Sequence, residues 1–272
     1  MGDLEGKVAI VTAGGTGLGR CISLELIRQG CAVSFCHRRA SVIEEATKEF
    51  EAMGANVFGY VCDVANEEQV QAMVAATMEH FGRIDILVNN VGAAGPICNL
   101  VDMDIKAWNE TIETDLNGTM LMSKYVLREM IKAGNGGSII MIGAEAGTIA
   151  EGWGGYPLRA SYSAVKNAVR GLQSVMAIEN GKYGIRVNTV KPAAVEGERM
   201  MRIMEGRAKA RGTTTEHELK LEQAHYSLRR FTKPEEVAYC VEFLASDRSA
   251  AITNQVLVCS CGLSLMASDM PD

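Results

Sequence analysis

The chain has 272 residues, 47% of them hydrophobic, with 28 glycines, five prolines and a formal net charge of −6. That length supports one large core, and the composition excludes a collagen-like or disordered chain and a basic nucleic-acid-binding protein. No apolar run reaches the ~18 residues of a membrane span; Asp3, Glu5 and Lys7 break up the stretch where a secretory signal would be apolar. A cytoplasmic protein with no membrane or nucleic-acid partner is expected. The eight cysteines (21, 31, 36, 62, 98, 240, 259 and 261) lack paired-ligand spacing. They read as reduced thiols, with no metal site.

Short apolar runs alternate with longer amphipathic stretches from the start. KVAIVTA precedes a helix at about 17–29, CAVSFCH one at about 41–53, and NVFGYVC one at about 66–81; IDILVNN follows. A helix is predicted over about 108–132, then the strand GSIIMIG, a helix opening near Ser161 and the strand GIRVNTV. A helix from about Pro234 to Ala245 and a strand near NQVLVCS complete the series. Continuous apolar runs of strand length suit a parallel sheet covered on both faces. Right-handed crossovers then give a Rossmann-type α/β fold: a doubly wound, seven-stranded parallel sheet in a single domain spanning 1–272.

Two segments stand outside that alternation. Residues 148–160 hold four glycine or proline residues and read as a loop beside the strand ends. Residues 194–232 are charged, Met-rich and weakly helical, and read either as a substrate lid or as a surface helix pair. Ligands in such sheets sit beyond the carboxyl ends of the strands, so both segments are candidates to wall a pocket. Trp153, Tyr156, Met200, Met201 and Met204 are candidate lining residues, although a helical Met stripe also suits core packing.

After the first strand the chain reads TAGGTGLG and opens directly into a helix. Gly14, Thr16, Gly17, Leu18 and Gly19 are therefore expected to carry a dinucleotide, its pyrophosphate stabilised by the helix N-terminus. The second strand ends at His37, followed by Arg38 and Arg39 where an NAD-binding site would present a carboxylate. Two guanidinium groups suit bidentate contact with a 2′-phosphate, so NADP(H) is preferred over NAD(H); the same arginines also suit a helix cap or plain solvent exposure. Asp63, with Val64 beside it, is a candidate for the adenine amino group. Asn90 and Gly92 are expected along the cofactor as the chain crosses it.

Tyr162 and Lys166 lie one helical turn apart and share a face. A free phenol ionises near pH ~10, and a neighbouring ammonium favours phenolate, which makes tyrosine usable as both acid and base. With the nucleotide turn about 145 residues upstream, the pair becomes specific.

On the segments TAGGTGLG, CDV, NNVG, YSAVK, RVNTVKPA and LASDRSAAITNQ, the chain resembles the short-chain dehydrogenase/reductase family over essentially its full length. The resemblance implies NAD(P)(H), usually a homotetramer (a homodimer being the other expectation), and hydride transfer between nicotinamide and a small-molecule carbonyl or alcohol. It makes Tyr162 the proton donor or acceptor, Lys166 the residue that holds the nicotinamide ribose, and Pro192 and Val195 further cofactor contacts.

The departures from the family cluster at the reacting end. Ala144, preceded by Gly143, stands where the family has its catalytic serine, and Asp115 where it has an asparagine. Ala13 replaces a glycine, Pro192-Ala193 replaces Pro-Gly, and Gly197 stands where a threonine contacts the cofactor. Losing an oxyanion donor commonly costs about 3–4 kcal/mol, with Thr148, Ser161 or the lid as possible suppliers of another. Asp115 works either through its backbone carbonyl or through a carboxylate that reaches Lys166. Glu145 reads either as a solvated turn residue or as a carboxylate beside the nicotinamide, where it would repel a developing alkoxide but attract a cationic C=N group. Three functions therefore stay open: a carbonyl reductase or alcohol dehydrogenase, an imine reductase, and an NADP(H)-binding sensor or scaffold with weakened catalysis.

Overall fold

The computed structural model of the chain describes residues 2–144 and 155–263. Seven parallel strands form one sheet in the order β3-β2-β1-β4-β5-β6-β7. They are β1 (Val8–Thr12), β2 (Ala32–His37), β3 (Val57–Val61), β4 (Ile86–Asn89), β5 (Gly137–Ile142), β6 (Ile185–Pro192) and β7 (Val256–Cys259). β1 is buried at every position, as expected for a strand covered on both faces.

Helices α1 (Gly17–Arg28), α2 (Ala40–Ala52) and α3 (Glu67–Phe81) fall within a residue or so of their expected ranges. α3 starts on an Asn66 side chain that accepts the Gln69 N–H, and ends on Gly82 at φ 76°. The helix expected at about 108–132 is instead three joined pieces. α4 (Ile105–Thr111) passes through a π-helical turn over Ile112–Asn117 into α5 (Gly118–Ala133). Periodicity reads such a stretch as one helix, because a single widened turn hardly disturbs the apolar spacing. α6 (Ala160–Asn180) and α9 (Pro234–Ala245) open close to where they are predicted.

Residues 194–232 are more regular than their composition suggests. They form α7 (Glu198–Arg211) and α8 (Thr215–Ala224), which pack on each other around Met200, Met204, Tyr226 and Phe231. One core cluster packs β1, β2, α1 and α9; another packs α3, α5 and α6 against the other side of the sheet. β1 pairs with both β2 and β4, so the connections leave in opposite directions at this point and their carboxyl ends part. All eight cysteines are free thiols, three of them buried and five half-buried.

Candidate active site

A cleft of about 880 Å3 opens beyond the carboxyl ends of β1, β4, β5 and β6 and runs from the first turn of α1 to α7 and α8. At one end lies the glycine-rich turn. Gly17 has φ +52° with open space where a side chain would begin. At Gly19 a Cβ would fall 2.1 Å from the Ala13 carbonyl oxygen and 2.5 Å from Asn90 Nδ2. Gly14 is a packing glycine: its Cβ would meet Phe35 and Ser23 at 2.8 Å, and it lies outside the cleft lining.

Thr16 caps α1 without a side-chain bond, and the first turn carries no acidic residue, which leaves a backbone cradle suited to an anion. Asn90 Nδ2 donates to the Thr12 carbonyl at 3.0 Å, and the N–H groups of Asn90 and Val91 donate to Thr12 Oγ1. The asparagine expected along the cofactor thus also laces β1 to β4. An open glycine turn at a bare helix N-terminus, set at the switch point, fits the diphosphate of a dinucleotide.

At the end of β2, His37 lines the cleft and its Nδ1 accepts the Arg39 N–H at 3.1 Å. Burial, and then the Arg39 charge, hold its imidazole below its ordinary pKa. Arg38 and Arg39 are exposed, and no hydrogen bond or ion pair engages either guanidinium among the described residues. Asp63 Oδ1 accepts the Ala65 N–H at 3.0 Å, and Val64 is buried against Gly118. Neither lines the cleft.

The reacting end is built by β5 and α6. Tyr162, 9% exposed, packs with Ala144 and Tyr156. Lys166 Nζ lies 5.6 Å from the Tyr162 ring centre and donates to the Ile142 carbonyl at the end of β5. Asp115 sits in the π-helical turn, and its Oδ1 accepts the Ala93 N–H at 2.5 Å. Its Oδ2 is buried without a hydrogen-bond partner. Burial raises the Asp115 pKa, opposed first by the Lys166 ammonium. Asp115 Oδ2 and Lys166 Nζ each lie 3.5 Å from where a side chain at Gly92 would begin. The carboxylate therefore approaches Lys166 without bonding to it.

Of the expected replacements for the missing serine, Ser161 is turned away: its Oγ is buried and bonds Thr111 at 3.3 Å. Thr148, Glu145 and Trp153 lie outside the described residues. Met200 and Met204 line the cleft and are buried, whereas Met201 is 37% exposed and is not part of the lining. Pro192 and Val195 border the cleft, and Val195 forms a parallel bridge with Thr232. Gly197 has φ +140°, a region a threonine side chain resists, so that departure from the family is written into the backbone.

Sequence reasoning missed three arginines. Arg159, at the N-cap of α6, is 4% exposed; its guanidinium carbon lies 3.8 Å from the Tyr162 ring centre. Arg199 donates to the carbonyls of Gly92 and Ala93 at 2.8 and 3.0 Å. Arg207 forms a buried pair with Glu222 at 2.6 Å and sits 5.2 Å from the Tyr156 ring centre. Spacing offered a signal for the first: Arg159, Tyr162 and Lys166 are three and four apart, the spacing that brings side chains together along a helix, with Arg159 at its cap.

Residues 12–264 match a family profile described as enoyl-(acyl carrier protein) reductase. The chain belongs to the short-chain dehydrogenase/reductase family. It is 36% identical to the short chain dehydrogenase/reductase astE of Aspergillus oryzae, covering 97% of each protein. It is 33% identical to the 3-oxoacyl-(acyl-carrier-protein) reductase FabG of Thermotoga maritima, over 96% of this chain and 98% of the relative. A crystal structure of NAD+-bound xylitol dehydrogenase superimposes with a TM-score of 0.89 at 27% identity, covering 94% of this chain and 98% of that one. The short-chain dehydrogenase/reductase relationship makes the chain an oxidoreductase of the NAD(P) type. No helix among the described residues is long and apolar enough to cross a membrane.

Proposed function

We propose that the chain is an NADP(H)-dependent carbonyl reductase or alcohol dehydrogenase in which Tyr162 exchanges the proton with the substrate oxygen. The carrying observation is the placement of Tyr162 in the cleft, against Ala144 and with the Lys166 ammonium 5.6 Å from its ring centre. A nicotinamide cofactor supplies or accepts hydride at the substrate carbon. The protein's own work is to hold the substrate oxygen on the Tyr162 hydroxyl and to keep two cations near the charge that develops there. Lys166 is anchored on the Ile142 carbonyl, which fixes its ammonium beside the phenol.

NADP(H) is favoured by Arg38 and Arg39, whose guanidinium groups have no competing partner among the described residues. Arg159 and Arg199 around Tyr162 oppose a cationic C=N substrate, so the imine reading loses ground to the carbonyl one. The residue set also goes beyond what a pure cofactor sensor requires. Self-association into a homodimer or homotetramer belongs to the same reading, supported by exposed Val101 (91%), Ile105 (70%) and Ile178 (75%).

The test is Tyr162→Phe, assayed by NADPH oxidation over a panel of ketones and oxo acids alongside cofactor binding by fluorescence. Turnover is expected to fall by about 10²–10⁴-fold while NADPH affinity stays within a few-fold. Undiminished turnover with a true substrate would reject the proposal.

A further inference from the structure

Arg159 is a charge in an unusual position. It is 4% exposed, yet no carboxylate pairs with it among the described residues. Its Nε and Nη2 both donate to the Ala94 carbonyl, at 3.3 and 2.8 Å. Because those two nitrogens occupy one edge of the guanidinium, Nη1 is left pointing away from the Ala94 segment. Nη1 has no partner among the described residues and is not among the fully enclosed unsatisfied atoms.

Arg159 lines the cleft together with Tyr156, Tyr162 and Ala144. Among the described residues, the other charges nearby are engaged. Arg207 is neutralised by Glu222, Arg199 is exposed and holds two backbone carbonyls, and Asp115 accepts from Ala93. Removing a guanidinium from water without a counterion costs several kcal/mol. A cation kept in that state at the wall of a ligand cleft is arranged to receive an anion.

We infer that the substrate carries a carboxylate close to its carbonyl, and that Arg159 receives it. The inference rests on the carbonyl-reductase reading and names the substrate class of that site: short oxo acids, or the corresponding hydroxy acids in the reverse direction. The guanidinium lies over the same ring whose hydroxyl meets the carbonyl oxygen. A carboxylate one or two carbons from the reacting carbon therefore reaches both groups at once. The cation–π contact of Arg159 with Tyr162, and its bond to Ala94, hold the guanidinium before the substrate arrives.

The experiment compares each acid with its neutral isostere: phenylglyoxylate with phenylglyoxylamide, and acetoacetate with acetoacetamide, using the full chain and NADPH. The wild-type protein is expected to prefer the acid by about tenfold or more in kcat/KM, mainly through KM, in line with a hydrogen bond to a charged group. In Arg159→Gln that ratio collapses toward one, and Arg159→Lys retains part of it. An equal loss on acid and amide would place Arg159 on the reacting oxygen instead and overturn the inference, as would a wild-type protein indifferent to the charge.

Binding separates this from a failure of the catalytic reading. Calorimetric titration of the NADP+-loaded protein with mandelate and mandelamide needs no turnover. Mandelate is expected to bind at least tenfold tighter, and Arg159→Gln to remove the difference. Equal affinity for the two in the wild-type protein refutes the carboxylate subsite whether or not any ketone is reduced. Preferred mandelate binding without turnover would leave the subsite standing and the reductase reading fallen.

Discussion

Asp115 and Ala93 are joined by a 2.5 Å hydrogen bond from the Ala93 N–H to Asp115 Oδ1, while the second carboxylate oxygen is buried with no partner. Burial raises the pKa of this group, against the opposing pull of Lys166 and the Ala93 N–H. The folded protein thus holds the proton to higher pH than the unfolded chain does, and stability falls as pH rises from the ordinary carboxylate range toward the raised value. Asp115→Asn does not ionise. It should melt at higher temperature than the wild type near neutral pH, with the gap closing as the pH falls below the ordinary carboxylate range. Melting curves across that range check the sign, and a gap that widens in acid would contradict it.

Ala144 offers a direct measure of what a hydroxyl contributes. It touches Tyr162 and is 9% exposed, so under the proposed mechanism a serine Oγ there would lie beside the substrate oxygen. Removal of an oxyanion donor commonly costs about 10²–10³ in kcat. Ala144→Ser is therefore expected to raise kcat for a ketone by about tenfold or more, with little change in KM. Steady-state kinetics with saturating NADPH supply the comparison.

Arg38 and Arg39 stand exposed beyond the end of β2, where the proposed use of NADP(H) requires the 2′-phosphate to lie. Replacing both with alanine should raise the KM for NADPH about tenfold or more, since each bond to a charged group contributes about 1.5–3 kcal/mol. The KM for NADH should move much less. Equal changes for the two cofactors would mean the arginines do not read the phosphate.

Ala13 adopts φ +53°, a left-handed conformation in the glycine-rich turn after β1. An L-residue loses about 1–2 kcal/mol there, and glycine gives back about 0.4–1 kcal/mol through the freedom of the unfolded chain. Ala13→Gly should stabilise the protein by roughly 0.5–1 kcal/mol on balance. Chemical denaturation at a fixed cofactor concentration reads this out, and a destabilised variant would show that the methyl group has a packing role.

Features carried by local pattern were legible in the sequence. Apolar runs marked all seven strands, and the glycine spacing marked the switch point. Features that depend on contacts between distant segments were not legible. Arg207 and Glu222 come from α7 and α8, and no linear spacing announces that they meet in a buried pair. The π-helical turn at Ile112–Asn117 hides inside ordinary helical periodicity, though it is what presents Asp115 to Ala93. The Ser161 hydroxyl is a poor stand-in donor because it is buried, bonds Thr111 and does not line the cleft.

The two legs that carry α7 and α8 are fastened to each other at their base. The Thr232 N–H donates to the Ala194 carbonyl and the Glu196 N–H to the Thr232 carbonyl, at 3.0 Å each, while the Tyr226 hydroxyl accepts the Ala194 N–H. The buried Arg207–Glu222 pair braces the two helices together, and α7 is tied to the rest of the fold again where Arg199 donates to the Gly92 and Ala93 carbonyls. Met200, Met204 and Arg207 all lie on α7 and line the cleft, so whatever displaces this one helix alters the mouth and the floor of the pocket together.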